Sequence, residues 1–195
     1  MSSSSRPNTL GRWSYVALLL ICVSLVLSGC FREKTKYKGD GCVLKIPSSW
    51  KLARKDDVTE KKFMDVSEYG SSLATFNSPE KDARTGLPKA RISLFSQKFT
   101  QPLWVEDITA DILDWVKRQG YTVIGSGKVS YQGSTGFSVN YRDKETGTVY
   151  LEFYFASDSR VYVVLLLETT EENFTFYLPD YENFRNSIEF PFLVF

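Results

Sequence analysis

Apolar residues follow three rhythms along the chain. Over 15–27 (YVALLLICVSLVL) they run almost unbroken, with Ser24 the one plainly polar position in thirteen. From 42 onward they fall into short alternating runs, 42–46, 72–77 and 90–98, separated by loops that hold Pro47, Pro79 and Pro88. Alternation puts successive side chains on opposite faces of a strand. Over 103–119 the period lengthens: Val105, Ile108, Ile112, Trp115 and Gln119 are spaced 3, 4, 3 and 4, which predicts a helix with one apolar stripe. Pro102 precedes it, Glu106 and Asp107 fill its first turn, Lys117 and Arg118 its last, and Gly120 follows as a left-handed cap.

A meander comes next, at 121–131, 135–142, 148–156 and 160–168. Phe137, Val139 and Tyr141 alternate with polar residues, and Val149, Leu151, Phe153 and Phe155 share a face. Residues 161–167 (VYVVLLL) are apolar on both faces, as in a central strand covered from both sides. Short turns at 144–148 and 157–160 make these strands antiparallel neighbours. A closing helix is expected from Thr169, which forms a capping-box pattern with Glu172. Tyr177, Tyr181, Phe184 and Ile188 continue it at 4, 3, 4 spacing, and Pro179 is expected to kink or restart it. Residues 31–41 read as a polar tether, and 54–70 carry no clear rhythm. The whole predicts an α+β fold: a mainly antiparallel sheet covered by helices on both faces, an α/β/α sandwich.

The unbroken run at 15–27 is too short for a transmembrane helix, which needs about 20 apolar residues. With Arg6 and Arg12 before it and no acid, it has the make-up of a signal peptide. It ends at Leu27-Ser28-Gly29-Cys30, and here the chain resembles the bacterial lipoproteins, whose lipobox joins an aliphatic residue, two small ones and a cysteine. The resemblance implies cleavage before Cys30 and a diacylglycerol on its thiol, with further acylation of its amine in many bacteria. Two or three acyl chains make a stable anchor, so the mature protein would sit on a membrane rather than span it. Phe31 stands where an aspartate would signal inner-membrane retention in enteric bacteria, which implies the periplasmic side of the outer membrane where a cell has one. The expected organisation is a signal peptide at 1–29, a lipidated basic tether at 30–41 and a single domain at 42–195.

Charge changes with that processing. The whole chain carries 24 basic against 23 acidic residues, and loss of Arg6 and Arg12 leaves 22 against 23. Residues 30–62 hold ten basic and five acidic residues, and 63–195 twelve and eighteen. Arg32, Lys34, Lys36 and Lys38 would lie beside the acyl chains, where anionic headgroups attract cations. An ordinary solvated tether fits the same residues, and both readings stand at this point. Near-neutrality leaves no electrostatic footprint for nucleic acid.

Histidine is absent from the sequence. That removes Ser-His-Asp and Cys-His catalysis, His-ligated zinc and imidazole pH sensing. With Cys22 in the leader and Cys30 lipidated, Cys42 stands alone; beside Leu44 and Ile46 it reads as a small core residue. The G-S-G-K at 125–128 lacks the first glycine and the final Ser/Thr of a phosphate loop, so it reads as a strand turn. Asp107, Asp111 and Asp114 share a helical face that is either a solvated surface or a partial ligand set for a hard cation. Glu171 and Glu172 would serve glycoside hydrolysis only if held across a cleft from a partner acid. Tyr150, Tyr154 and Tyr162 either stack a ligand or close the core beneath a helix. The FPFLVF ending at 190–195 is either a packed tail or an exposed docking peptide.

The order C-V-L-K-I-P-S-S-W, F-N-S-P, A-R-I-S-L-F, one helix, four strands and a helix ending N-S-I-E-F resembles the PsbP-like and DcrB-type α/β/α sandwiches across 42–190. The resemblance implies an extracytoplasmic, non-enzymatic binding or assembly-accessory domain that docks on an envelope protein, with no catalytic residues, cofactor or metal. The alternatives are a carrier of a small apolar ligand between helix and sheet, and a carboxylate-based envelope hydrolase.

Overall fold

In the computed structural model, residues 34–39, 42–53, 71–98, 105–131, 134–156 and 161–189 are described. Nine strands and two helices occur among them: β1 (Lys34–Gly39), β2 (Cys42–Pro47), β3 (Lys51–Leu52), β4 (Ser71–Asn77), β5 (Ala90–Lys98), α1 (Val105–Arg118), β6 (Thr122–Tyr131), β7 (Ser134–Arg142), β8 (Thr148–Ala156), β9 (Val161–Thr170) and α2 (Glu171–Ser187). Strands β3 to β9 form one sheet in the order β3-β4-β5-β9-β8-β7-β6, every neighbouring pair antiparallel. Strands β1 and β2 pair only with each other as a hairpin.

The helices cover opposite faces of the large sheet, so the expected α/β/α sandwich is what the chain builds. Strand β9 has the central role its composition predicts. Leu165 and Leu167 lie in the core beneath α2, while Leu166 lies in the core beneath α1. Strand β8 divides the same way, with Phe153 and Phe155 toward α2 and Tyr154 toward α1. Gly136 on β7 is dictated by this packing: a Cβ there would sit 2.6 Å from the Phe153 ring and 2.9 Å from the Tyr154 carbonyl oxygen.

Helix α1 buries Val105, Ile108, Ile112 and Val116. It ends in a Schellman turn: Gly120, at φ +79°, donates to the Lys117 carbonyl, and the Tyr121 N–H donates to that of Val116. Helix α2 buries Tyr177, Tyr181 and Phe184, with Ile188 just beyond its end.

Three expectations about local structure are corrected. The capping box does not form, because β9 extends to Thr170, where it pairs with Thr148, and Thr170 becomes the N-cap. The Thr169 hydroxyl donates instead to the Lys89 carbonyl. Pro179 does not interrupt α2, which continues from Glu171 to Ser187 with the proline on its exposed side; the buried tyrosines on either side hold the helix to the sheet despite the missing donor. Finally, residues 34–39 are not a plain tether but strand β1, because β2 offers it a full antiparallel register from Lys34–Pro47 to Gly39–Cys42.

Trp50 explains why the extended start ends in P-S-S-W. Its N–H closes a turn on the Pro47 carbonyl, and its indole N–H donates to Asp180 of α2 at 2.8 Å. The ring meets Tyr177 and Phe184 edge-on at 5.9 and 5.4 Å. One residue therefore ties the first strands to the last helix.

Candidate functional site

Among the described residues, the densest grouping of chemistry-bearing side chains lies beneath the C-terminal end of α1. The Schellman turn that stops α1 delivers Tyr121 onto the sheet, where its ring stacks on Tyr141 at 5.3 Å. Tyr141 stacks in turn on Tyr150 at 5.1 Å, because β7 and β8 place these two directly opposite each other. Trp115 closes the group edge-on to Tyr121 and Tyr141 at 6.3 and 6.5 Å. Trp115, Tyr121 and Tyr150 are half-buried, and Tyr141 is wholly enclosed.

Below the rings lies Glu152, 1% exposed and the only buried acid or base among the described residues. Tyr141 donates its hydroxyl to one carboxylate oxygen at 2.6 Å, and Tyr154 donates to the other. Burial pushes the phenols of Tyr141 and Tyr154 well above 10, and the Glu152 carboxylate adds to the shift. Burial raises Tyr150 and Tyr121 too, helped by Glu168 and Asp143. These are phenols held protonated as donors, not phenolates poised to attack. A general acid or base must reach a substrate proton, and a carboxylate enclosed by two donating phenols has no such reach in this geometry. The arrangement fixes β7, β8 and α1 to one another and presents a half-exposed aromatic rim.

The carboxylate's contribution is measurable. Glu152→Leu would take an acceptor from two buried phenols at once, each costing about 1–3 kcal/mol. We expect urea unfolding to show a loss of about 2–6 kcal/mol for that variant, and a smaller loss for Glu152→Gln, which keeps one acceptor oxygen. A Leu variant as stable as the parent would show that the network contributes nothing net.

The residues singled out by sequence are dispersed. Gly125, Ser126, Gly127 and Lys128 lie within edge strand β6, beside a bulge between Val123 and Gly125 rather than in a phosphate-cradling loop. Asp107, Asp111 and Asp114 are on the exposed face of α1, where Asp114 pairs with Arg118 at 2.9 Å. Among the described residues no three Asp, Glu, Cys or His side chains are grouped to hold a metal ion. Glu171 and Glu172 are exposed in the first turn of α2, and Glu171 pairs with Arg142 at 2.7 Å, facing no second acid across a cleft. Tyr154 and Tyr150 pack beneath α1, the core-closing alternative. Leu27, Ser28, Gly29 and Cys30 lie outside the described residues, as do the side chains of Cys42 and Tyr162 and the tail at 190–195.

Glu152 is the residue that the sequence reading missed. Its signal was present: an acid at the centre of T-V-Y-L-E-F-Y-F-A, flanked at i−2 and i+2 by tyrosines on the same face.

No family model and no curated protein matches the chain by sequence. Solved structures do match by shape. Cyanobacterial PsbP (CyanoP) from Synechocystis sp. PCC 6803 aligns with a TM-score of 0.54 at 12% identity, covering 82% of this chain and 94% of that one. LpqN of Mycobacterium tuberculosis, described as involved in cell envelope biogenesis, aligns at 0.48 and 11% identity, over 80% of this chain and 89% of its own. The fold is thus PsbP-like, as the order of elements implies. No helix among the described residues is long and apolar enough to cross a membrane.

Proposed function

We propose that the protein is an extracytoplasmic lipoprotein, anchored through acylated Cys30, whose folded domain is a non-enzymatic binding or assembly-accessory module of the cell envelope. The observation that carries the reading is the Leu27-Ser28-Gly29-Cys30 lipobox, in register after a charged start and a short apolar run. The PsbP-like fold supports it, as does the use of Glu152, the one buried acid among the described residues, in holding the core together. In a cell with two membranes the anchor faces the periplasm from the outer membrane. The domain docks on another envelope protein.

The carrier and hydrolase alternatives are weaker. Between α2 and the sheet the space is occupied by Trp50, Phe76, Tyr177 and Phe184 in ring contact. Glu152 lacks the second acid, held across a cleft, that hydrolysis requires. Metabolic labelling with palmitate should mark the native chain and leave Cys30→Ala unlabelled; label surviving in Cys30→Ala would overturn the lipoprotein reading. Affinity purification of the native chain from solubilised membranes should recover a stoichiometric envelope partner, and repeated recovery of the protein alone would overturn the docking role.

A further inference from the structure

The first two strands carry a surface that the tether reading left undecided. In the β1–β2 hairpin the Cα register sets Lys34 opposite Pro47, Lys36 opposite Lys45, and Lys38 opposite Val43. Strand alternation puts positions 34, 36, 38 and 45 on one face of the hairpin and Leu44 and Ile46 on the other. Leu44 and Ile46 are buried in the core beneath α2, so Lys36 and Lys45 lie on the face away from that core. Lys36 is exposed, and Lys45 is partly so.

This face is built against its own electrostatics. Lys36 and Lys45 stand directly across from each other, and like charges in that position destabilise a strand pair. Among the described residues the acid beside them is Glu189, which bridges to Lys45 at 2.9 Å and is tied in place by two backbone hydrogen bonds to Val43. Lys45 holds the Glu189 carboxyl below its usual range, and the Lys36 charge adds to this. Among the described residues, that is one carboxylate against four lysine positions. The sheet domain beyond residue 62 carries the opposite excess.

We propose that the outer face of the β1–β2 hairpin is a docking surface for a bilayer rich in anionic phospholipid, and that it sets the domain's orientation on the membrane. The proposal rests on the lipoprotein reading for its geometry: three residues separate Cys30 from Lys34, and the four steps between them reach at most about 14 Å, so β1 begins within reach of the headgroup layer. Each lysine near an anionic surface contributes about a fivefold gain in membrane partitioning, and this is screened by salt. Charge complementarity alone would also fit an acidic protein; the three-residue connection to the acyl chains favours lipid.

The test is lysine protection in the full chain, reconstituted in vesicles of phosphatidylcholine alone or mixed with phosphatidylglycerol. A membrane-impermeant amine-acylating reagent is applied, and labelling is read peptide by peptide. Lys36 and Lys45 should be labelled about fivefold less in the anionic vesicles than in the neutral ones, relative to Lys117 on the opposite side of the sheet, and high salt should restore their labelling. Equal labelling in the two vesicle types would overturn the proposal. So would protection that appears only when an envelope protein is added. Palmitate labelling on the same preparations keeps the two ideas apart. A lipidated chain with unprotected lysines sinks the docking face and leaves the anchor standing. Charge-dependent protection in an unlipidated chain sinks the anchor and upholds the docking face.

Discussion

Raising the pH above 10 is expected to unfold this protein cooperatively, and few ordinary treatments should act on it as strongly. Burial holds the phenols of Tyr141, Tyr154 and Tyr181 well above their usual value of 10, and Tyr131 is pushed up to about 12. A phenol raised in the folded state keeps its proton after the unfolded chain has released it. Its contribution is therefore complete below pH 10 and falls as pH rises toward the folded-state value. Each such tyrosine removes about 1.4 kcal/mol of stability per pH unit in that window. Three together remove about 4 kcal/mol per unit, against a typical total of about 5–15 kcal/mol. Absorbance near 295 nm and far-ultraviolet circular dichroism should be followed in parallel. Exposed phenols should titrate near 10, and the buried ones should ionise in a later step that coincides with loss of helix signal. Smooth titration of every tyrosine near 10 with the fold intact would refute the enclosure of the Tyr141–Glu152–Tyr154 group.

Phe184→Ala should be the most damaging single truncation on the α2 face. The side chain is fully enclosed, with ring centroids 5.4 Å from Trp50 and 5.6 Å from Phe76. Tyr177, Tyr181 and Phe184 are the buried side chains within α2, so each anchors a large share of it. Removing a buried phenylalanine costs about 3–5 kcal/mol in lost transfer energy and the cavity left behind. The urea midpoint should fall accordingly with an unchanged slope, and tryptophan emission should shift to the red as Trp50 gains water. A loss below about 1 kcal/mol would mean that the site collapses freely and that the helix is held elsewhere.

Much of the fold was legible because local and global signals agree. Strands β5 and β8 begin and end where the alternation does, and the Tyr177, Tyr181, Phe184, Ile188 stripe is buried throughout. Strand β1 was hidden for a physical reason. K-T-K-Y-K-G has weak strand propensity and a lysine at every second position, and only its register with β2 makes it a strand. The cap of α2 was misplaced because Thr169 and Thr170 suit a strand as well as a cap, and pairing with Val149 and Thr148 decided between them. Glu152 was passed over because an acid in a strand is ordinarily read as facing water. Its burial depends on α1 lying over that face, which no local pattern in β8 states.

The hairpin also has a mechanical meaning. It joins the sheet domain through the Val43–Glu189 backbone pair and the Lys45–Ser187 hydrogen bonds, which tie the chain's first strands to the end of its last helix. For a domain held by a lipid at Cys30, any tension arrives first at Lys34, the open end of the β1–β2 ladder. Load applied there peels hydrogen bonds one at a time, the weakest direction in which a strand pair can be pulled. Releasing the six residues of β1 lengthens the tether by about 20 Å. Strand β2 stays clamped to α2, so β1 yields before the seven-stranded sheet does. The hairpin would thus act as a short, reversible shock absorber between a fluid membrane and a rigid domain.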